Sequence, residues 1–167
     1  MRAFFALVPD PDSCLAIEQW RAQNWPTLLR PVNARNYHIT LSFLGEINPA
    51  QLERIQELLH TYSAPTIEIS LDDTGYWPDS GILWLGPSDP PNALSAMASQ
   101  CVRTANRAGI KVRKKNFQPH LTLARQVISP PAAPLQQPSF HLRCEQLLLL
   151  QSLFDKSGVR YIDIDHW

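Results

Sequence analysis

The chain reads as a series of short apolar runs, some alternating with polar residues and some recurring at helical spacing. Ala3–Val8 is a continuous apolar run of strand length, broken by Pro9 and Pro11. Asp12 or Ser13 then caps a helix over about Cys14–Gln23. From Asn36 to Gly45 the pattern has a period of two. Tyr37, Ile39, Leu41 and Phe43 fall on one face, and His38, Thr40 and Ser42 on the other. Asn48, Pro49 and Gln51 spell a helix start with a capping box, followed by Leu52, Ile55, Leu58, Leu59 and Tyr62 at helical intervals.

Thr66–Leu71 alternates again and predicts a half-buried strand, with a turn at Asp72–Gly75 and a short strand at Ile82–Leu85. Pro90-Pro91 opens another helix, carrying Leu94, Met97, Cys101, Ala105 and Ala108 in a stripe, with Gly109 as its stop. A strand follows over Leu121–Val127, then a stiff surface loop with four prolines between Pro130 and Pro138. Phe140–Arg143, Glu145–Leu153 and Val159–Ile164 close the series, the last two joined by a turn at Lys156–Gly158. Short strands mixed with a few helices predict an α+β fold with antiparallel sheets.

Two of these strands carry the same chemistry. His38-Ile39-Thr40-Leu41 is repeated as His120-Leu121-Thr122-Leu123, an offset of 82 residues in a chain of 167. Only five histidines occur, so two in matched tetrapeptides half a chain apart predict two similar units with converging polar faces. A cleft with two imidazoles and two hydroxyls suits in-line displacement at phosphorus. Such a reaction needs a base and an acid on opposite sides of the phosphate, and imidazoles with an ordinary pKa of ~6.5 can fill both roles. The threonine hydroxyls can donate to the non-bridging oxygens. Spacing does not say which histidine does which.

The wider composition narrows the classes. Apolar residues make up 44% and charged residues 18%, ordinary for a globular protein. Lys plus Arg equals Asp plus Glu at 15 each, which argues against a protein that coats nucleic acid by net charge. Three scattered cysteines, Cys14, Cys101 and Cys144, form no disulfide framework and point to a reducing, cytoplasmic setting. The apolar start is too short for a leader and no run suffices to span a membrane. A zinc site on His38 and His120 would be short of ligands, and a non-catalytic RNA-binding module would leave the matched motifs unexplained.

The paired His-x-Thr-Leu motifs resemble those of the two-histidine phosphoesterases. Phe4-Phe5-Ala6-Leu7, the stretch His38–Gly45, Gly75–Gly86 with Trp77-Pro78 and Trp84, Pro119–Arg125, and Gln151-Ser152 with Gly158 and Tyr161 resemble the bacterial RNA 2′,3′-cyclic phosphodiesterase (2′-5′ RNA ligase-like) family. The resemblance implies one bilobal domain over 1–167. Its two lobes of antiparallel sheet are related by a pseudo-twofold axis, with flanking helices and a central cleft. It implies hydrolysis of RNA or nucleotide 2′,3′-cyclic phosphates to 2′-phosphates, with His38 as proton donor and His120 as proton acceptor. Neither metal nor cofactor is implied, and the protein is expected to act as a monomer. Relatives also join RNA ends, or cut 2′,5′ linkages, with the same motifs.

Other residues are weighed beside these. Thr40 and Thr122 are expected on the phosphate. Arg125 resembles the family's arginine, yet strict alternation turns it away from His120. Ser42, on the face of His38, can support it. Phe5, Tyr76 and Trp77 can stack on a base but suit the core better. Lys111, Arg113, Lys114 and Lys115 form a solvated approach to the second motif or a guide for RNA phosphates.

Overall fold

The computed structural model describes residues 1–112, 116–156 and 158–167. Arg113–Lys115, most of the basic cluster singled out above, lie outside the described residues. The strands are β1 (Arg2–Leu7), β2 (Ile39–Glu46), β3 (Ile67–Leu71), β4 (Asp73–Trp77), β5 (Ile82–Gly86), β6 (Leu121–Ala124), β7 (Phe140–Cys144), β8 (Leu148–Asp155) and β9 (Gly158–His166). The helices are α1 (Pro11–Asn24), α2 (Pro49–Leu59) and α3 (Asn92–Arg107). Among the described residues, no helix is long and apolar enough to cross a membrane.

Seven strands form one sheet in the order β4-β5-β6-β2-β1-β8-β9, and β3 pairs with β7 in a separate two-stranded ribbon. Every pairing is antiparallel. The α+β class with antiparallel sheet is as expected. The internal repeat is a strand-helix-strand unit, β1-α1-β2 and then β5-α3-β6, each with its two strands side by side. The two units meet where β2 pairs with β6 through Ile39 and Leu121. The motif strands are therefore neighbours at the middle of one sheet, rather than opposed across a gap.

One face of the sheet is the main core. Phe5, Leu7, Ile39, Leu83, Leu85, Leu121 and Leu149 pack there with Ile17 of α1, Ile55 of α2, and Leu94 and Met97 of α3. The opposite face carries a small cluster of Phe4, Ala6 and Leu150, with Tyr161 and Val8 at its edge. A strand apolar on both faces, like β1, is thus required by a sheet that has a core on one side and a walled cleft on the other.

Local chemistry sets the ends of these elements, with some differences from the sequence pattern. The α1 cap is Asp10, whose carboxylate accepts from Ser13 N at 2.9 Å and Ser13 Oγ at 2.6 Å. Pro11, expected only to break the strand, is the first helical residue, where its missing N–H costs nothing. The Asn48–Gln51 capping box is present. Asp73–Gly75, expected in a turn, belongs to β4. Gly75 is needed there because a Cβ would lie 2.1 Å from the Trp84 ring on β5. The hairpin turn instead falls near Gly81, at φ 62°. Strand β6 ends at Ala124 rather than Val127, because Arg125 N donates to Arg30 O at 3.0 Å and Gln126 takes φ 54°.

Candidate active site

The Ile39–Leu121 pair acts as the local centre of symmetry. Extending its antiparallel register one residue each way sets His38 opposite Thr122 and Thr40 opposite His120. All four side chains then project from the same face as Phe4 and Ala6, since Ala6 pairs with Thr40. Directly opposed residues stand ~4.5–5.5 Å apart, so this register sets the His38 imidazole beside Thr122 and that of His120 beside Thr40.

Each ring is held by the same device. His38 Nδ1 lies 2.7 Å from Asn36 O, and His120 Nδ1 lies 2.8 Å from Gln118 O. A carbonyl only accepts, so the proton of each neutral ring sits on Nδ1 and Nε2 keeps its lone pair. The approach to β2 is itself anchored, because Asn36 Nδ2 donates to Val159 O on β9 at 2.9 Å.

The surroundings of the rings differ. His38 is 9% exposed, with Tyr161 edge-on at 4.8 Å and Phe4 at 5.0 Å between ring centres. Burial pushes its pKa down from 6.5 to about 4, helped by Arg125 and His120 and opposed by the Asn36 hydrogen bond. His120 is less enclosed and packs against Trp77 at 4.6 Å, nearly perpendicular. Burial lowers its pKa as well, and Arg125 adds to that shift. Both rings are therefore neutral near pH 7, poised to accept rather than to donate.

Three β-bulges shape the site. Phe5 pairs with Ser42 and Ala6 with Thr40, so Leu41 is an extra residue on β2. Trp84 pairs with Thr122 and Leu83 with Ala124, so Leu123 is an extra residue on β6. The leucine of each His-x-Thr-Leu motif is thus the bulged residue, and each bulge reverses the alternation beyond it. Ser42 turns to the core face, where its Oγ is buried without a hydrogen-bond partner among the described residues. It does not support His38, contrary to expectation. Arg125 is turned the other way and lines a cavity with His38. The alternation argument against it is corrected by the bulge at Leu123. The third bulge, at Leu44, lies past Phe43 toward the end of β2.

The same reversal brings Phe43 onto the cleft face, 65% exposed and 5.9 Å from Phe4, although the sequence pattern put it in the core. Phe43 and Arg125 hold equivalent places in the repeat, 82 residues apart. That shared offset was the available signal for Phe43. Trp77, expected in the core, packs on His120, and Tyr161 on His38. Phe5 is fully buried, and Tyr76 donates its hydroxyl to Val127 O at 2.7 Å, so neither faces the cleft. Among the described residues, no group of three or more His, Cys, Asp or Glu gathers to offer a metal donor set.

Two cavities open from this centre and share Phe43. One of about 740 Å³ runs from Thr40, Trp77 and His120 toward Ser99 and Arg103 of α3. The other, about 340 Å³, is bounded by His38, Arg125, Phe4 and Tyr161 and reaches Arg2 and Ser152.

With this geometry in place, the chain belongs to the 2′-5′ RNA ligase superfamily, whose family model matches residues 9–153. It is 31% identical over 167 residues to the RNA 2′,3′-cyclic phosphodiesterase of Escherichia coli strain K12, covering 99% of this chain and 95% of that protein. The Bacillus subtilis strain 168 protein of the same name is 26% identical and covers 92% of this chain, 90% of its own length. The crystal structure of E. coli LigT in complex with 3′-AMP superposes with a TM-score of 0.88 at 31% identity, covering 99% of this chain and 96% of that chain.

Proposed function

We propose that this protein hydrolyses 2′,3′-cyclic phosphate ends of RNA, or of small nucleotides, to 2′-phosphates. The observation that carries this reading is the pair of imidazoles anchored through Nδ1, with both Nε2 atoms left for the cleft. Its relatives of known name act as RNA 2′,3′-cyclic phosphodiesterases, which favours hydrolysis over joining of ends.

The roles are those that the family resemblance implies. His120, neutral and less enclosed, takes a proton from water as the water attacks phosphorus. His38 returns a proton to the departing 3′ oxygen. An imidazole with a pKa near 4 is a poor donor at pH 7, but a bound phosphodiester changes that balance. Its negative charge favours the protonated ring, most strongly where water is excluded, and it neutralises the Arg125 charge that had opposed protonation. His38 therefore acquires its proton with the substrate. Thr40 and Thr122 donate to the non-bridging oxygens, and the Arg125 fork adds a charge-assisted contact.

Residues 1–167 form one two-lobed domain in this reading and act as a monomer. The three cysteines are free and buried, which supports a reducing compartment such as the cytoplasm.

The test uses an RNA oligomer ending in a 2′,3′-cyclic phosphate, with the position of the product phosphate determined. A 2′-phosphate is expected, and His38→Ala or His120→Ala should each lower kcat/KM by about 10²–10⁴-fold. Full turnover by either variant, or a 3′-phosphate product, overturns the reading. A 2′,5′-linked product formed with a 5′-hydroxyl oligomer, without hydrolysis, would also overturn it.

A further inference from the structure

The smaller cavity holds one more cation than the reacting phosphate requires. His38 and Arg125 close one end of it. Arg2 lines it as well, from the same face of β1 as Phe4, two residues or about 7 Å of strand away. Among the described residues, no carboxylate lines this cavity. Two guanidinium groups share this walled space of about 340 Å³, and both draw anions toward it.

The Arg2 guanidinium is placed to bind, not only to solvate. It lies over the Phe154 ring, 5.9 Å from its centre. A cation–π contact at this distance tethers the guanidinium at the cavity wall and leaves its N–H groups to donate to an anion. Ser152 lines the same cavity and adds a hydroxyl. Between Arg2 and His38 the walls are aromatic, formed by Phe4, Phe43 and Tyr161, which suits a ribose and base.

We infer that Arg2 and Ser152 form a second phosphate site, which takes the phosphate on the 5′ side of the terminal nucleotide. This rests on the reading of His38 and His120 as the reacting pair. With the leaving 3′ oxygen at His38, the ribose lies on the His38 side, in the cavity that Arg2 and Ser152 also line. The protein then distinguishes an RNA end, which carries a 5′ phosphodiester at that nucleotide, from a nucleoside 2′,3′-cyclic monophosphate, which does not.

The experiment compares kcat/KM for adenosine 2′,3′-cyclic monophosphate and for the same compound carrying a 5′-phosphate. The wild-type protein should prefer the 5′-phosphorylated compound by about tenfold or more, the worth of one charge-assisted hydrogen-bonded contact. In Arg2→Gln that ratio should fall to near one, while Arg2→Lys, which keeps the charge and loses the fork, should retain part of it. A wild-type ratio near one, or a ratio unchanged in Arg2→Gln, overturns the second site and leaves the proposed reaction standing. Turnover of neither compound overturns this site, and turnover of the RNA oligomer ending in a 2′,3′-cyclic phosphate then decides whether the proposed reaction stands.

Discussion

Burial of His38 makes a prediction about stability that needs no substrate. In the unfolded chain its imidazole titrates at 6.5, and in the folded protein at about 4. Between those values the unfolded state binds the extra proton and the native state does not, so acid favours unfolding. Stability from this group is therefore full above pH 6.5, falls as pH drops through that value, and levels off below about pH 4. The linkage relation gives a loss of about 2 kcal/mol at pH 5, rising to about 3 kcal/mol once both states are protonated. The perturbation is His38→Asn, whose amide nitrogen stands near the place of Nδ1 and keeps an N–H donor for Asn36 O but cannot titrate. Urea unfolding followed by tryptophan fluorescence at pH 7 and pH 5 gives the readout. Between those pH values the wild-type protein should lose about 2 kcal/mol more than the variant. His120 and the exposed groups titrate in both proteins and cancel in the difference. Equal losses in wild type and variant would refute a neutral, buried His38, and with it the account of how substrate charge supplies its proton.

Thr40→Val and Thr122→Val should each slow cyclic phosphate hydrolysis by about 10–100-fold with melting temperature little changed, since each removes one donor to the phosphate oxygens; wild-type kinetics in both would take the hydroxyls out of the mechanism. Gly75→Ala places a Cβ 2.1 Å from Trp84 Cζ2, and Trp84 packs 5.5 Å from Trp77, which in turn holds His120. It should cost about 1–3 kcal/mol in stability and lower kcat/KM. A variant with wild-type melting and kinetics would show that the tryptophan stack does not position His120.

Much of the candidate site is visible in the order of residues. The repeated His-x-Thr-Leu marks both imidazoles and both hydroxyls, because each motif places its polar side chains two residues apart on a strand. The capping box of α2 and the glycine stop of α3 are equally local, and both are present. What escaped the pattern was the direction of residues beyond the motifs. Strict alternation turns Ser42, Phe43 and Arg125 each to the wrong face, all for one reason. Counting by twos assumes an unbroken ladder, and an extra residue at Leu41 or Leu123 shows only in how the strand pairs with its neighbour. The partners of the two rings were hidden too, since Tyr161 and Trp77 come from distant parts of the chain.

By itself, then, the sequence determined which chemical groups are available and which short elements carry them, since rotation along a strand, helix caps and the repeat are set by neighbours in the chain. Only the tertiary structure decided that the two motif strands pair directly, that Arg125 and Phe43 turn into the cleft, and that one histidine is sealed under Tyr161 and Phe4 while the other rests on Trp77. The physical reason is that register, bulges and burial are relations between segments far apart in sequence, and a side chain's pKa follows its surroundings rather than its place in the chain.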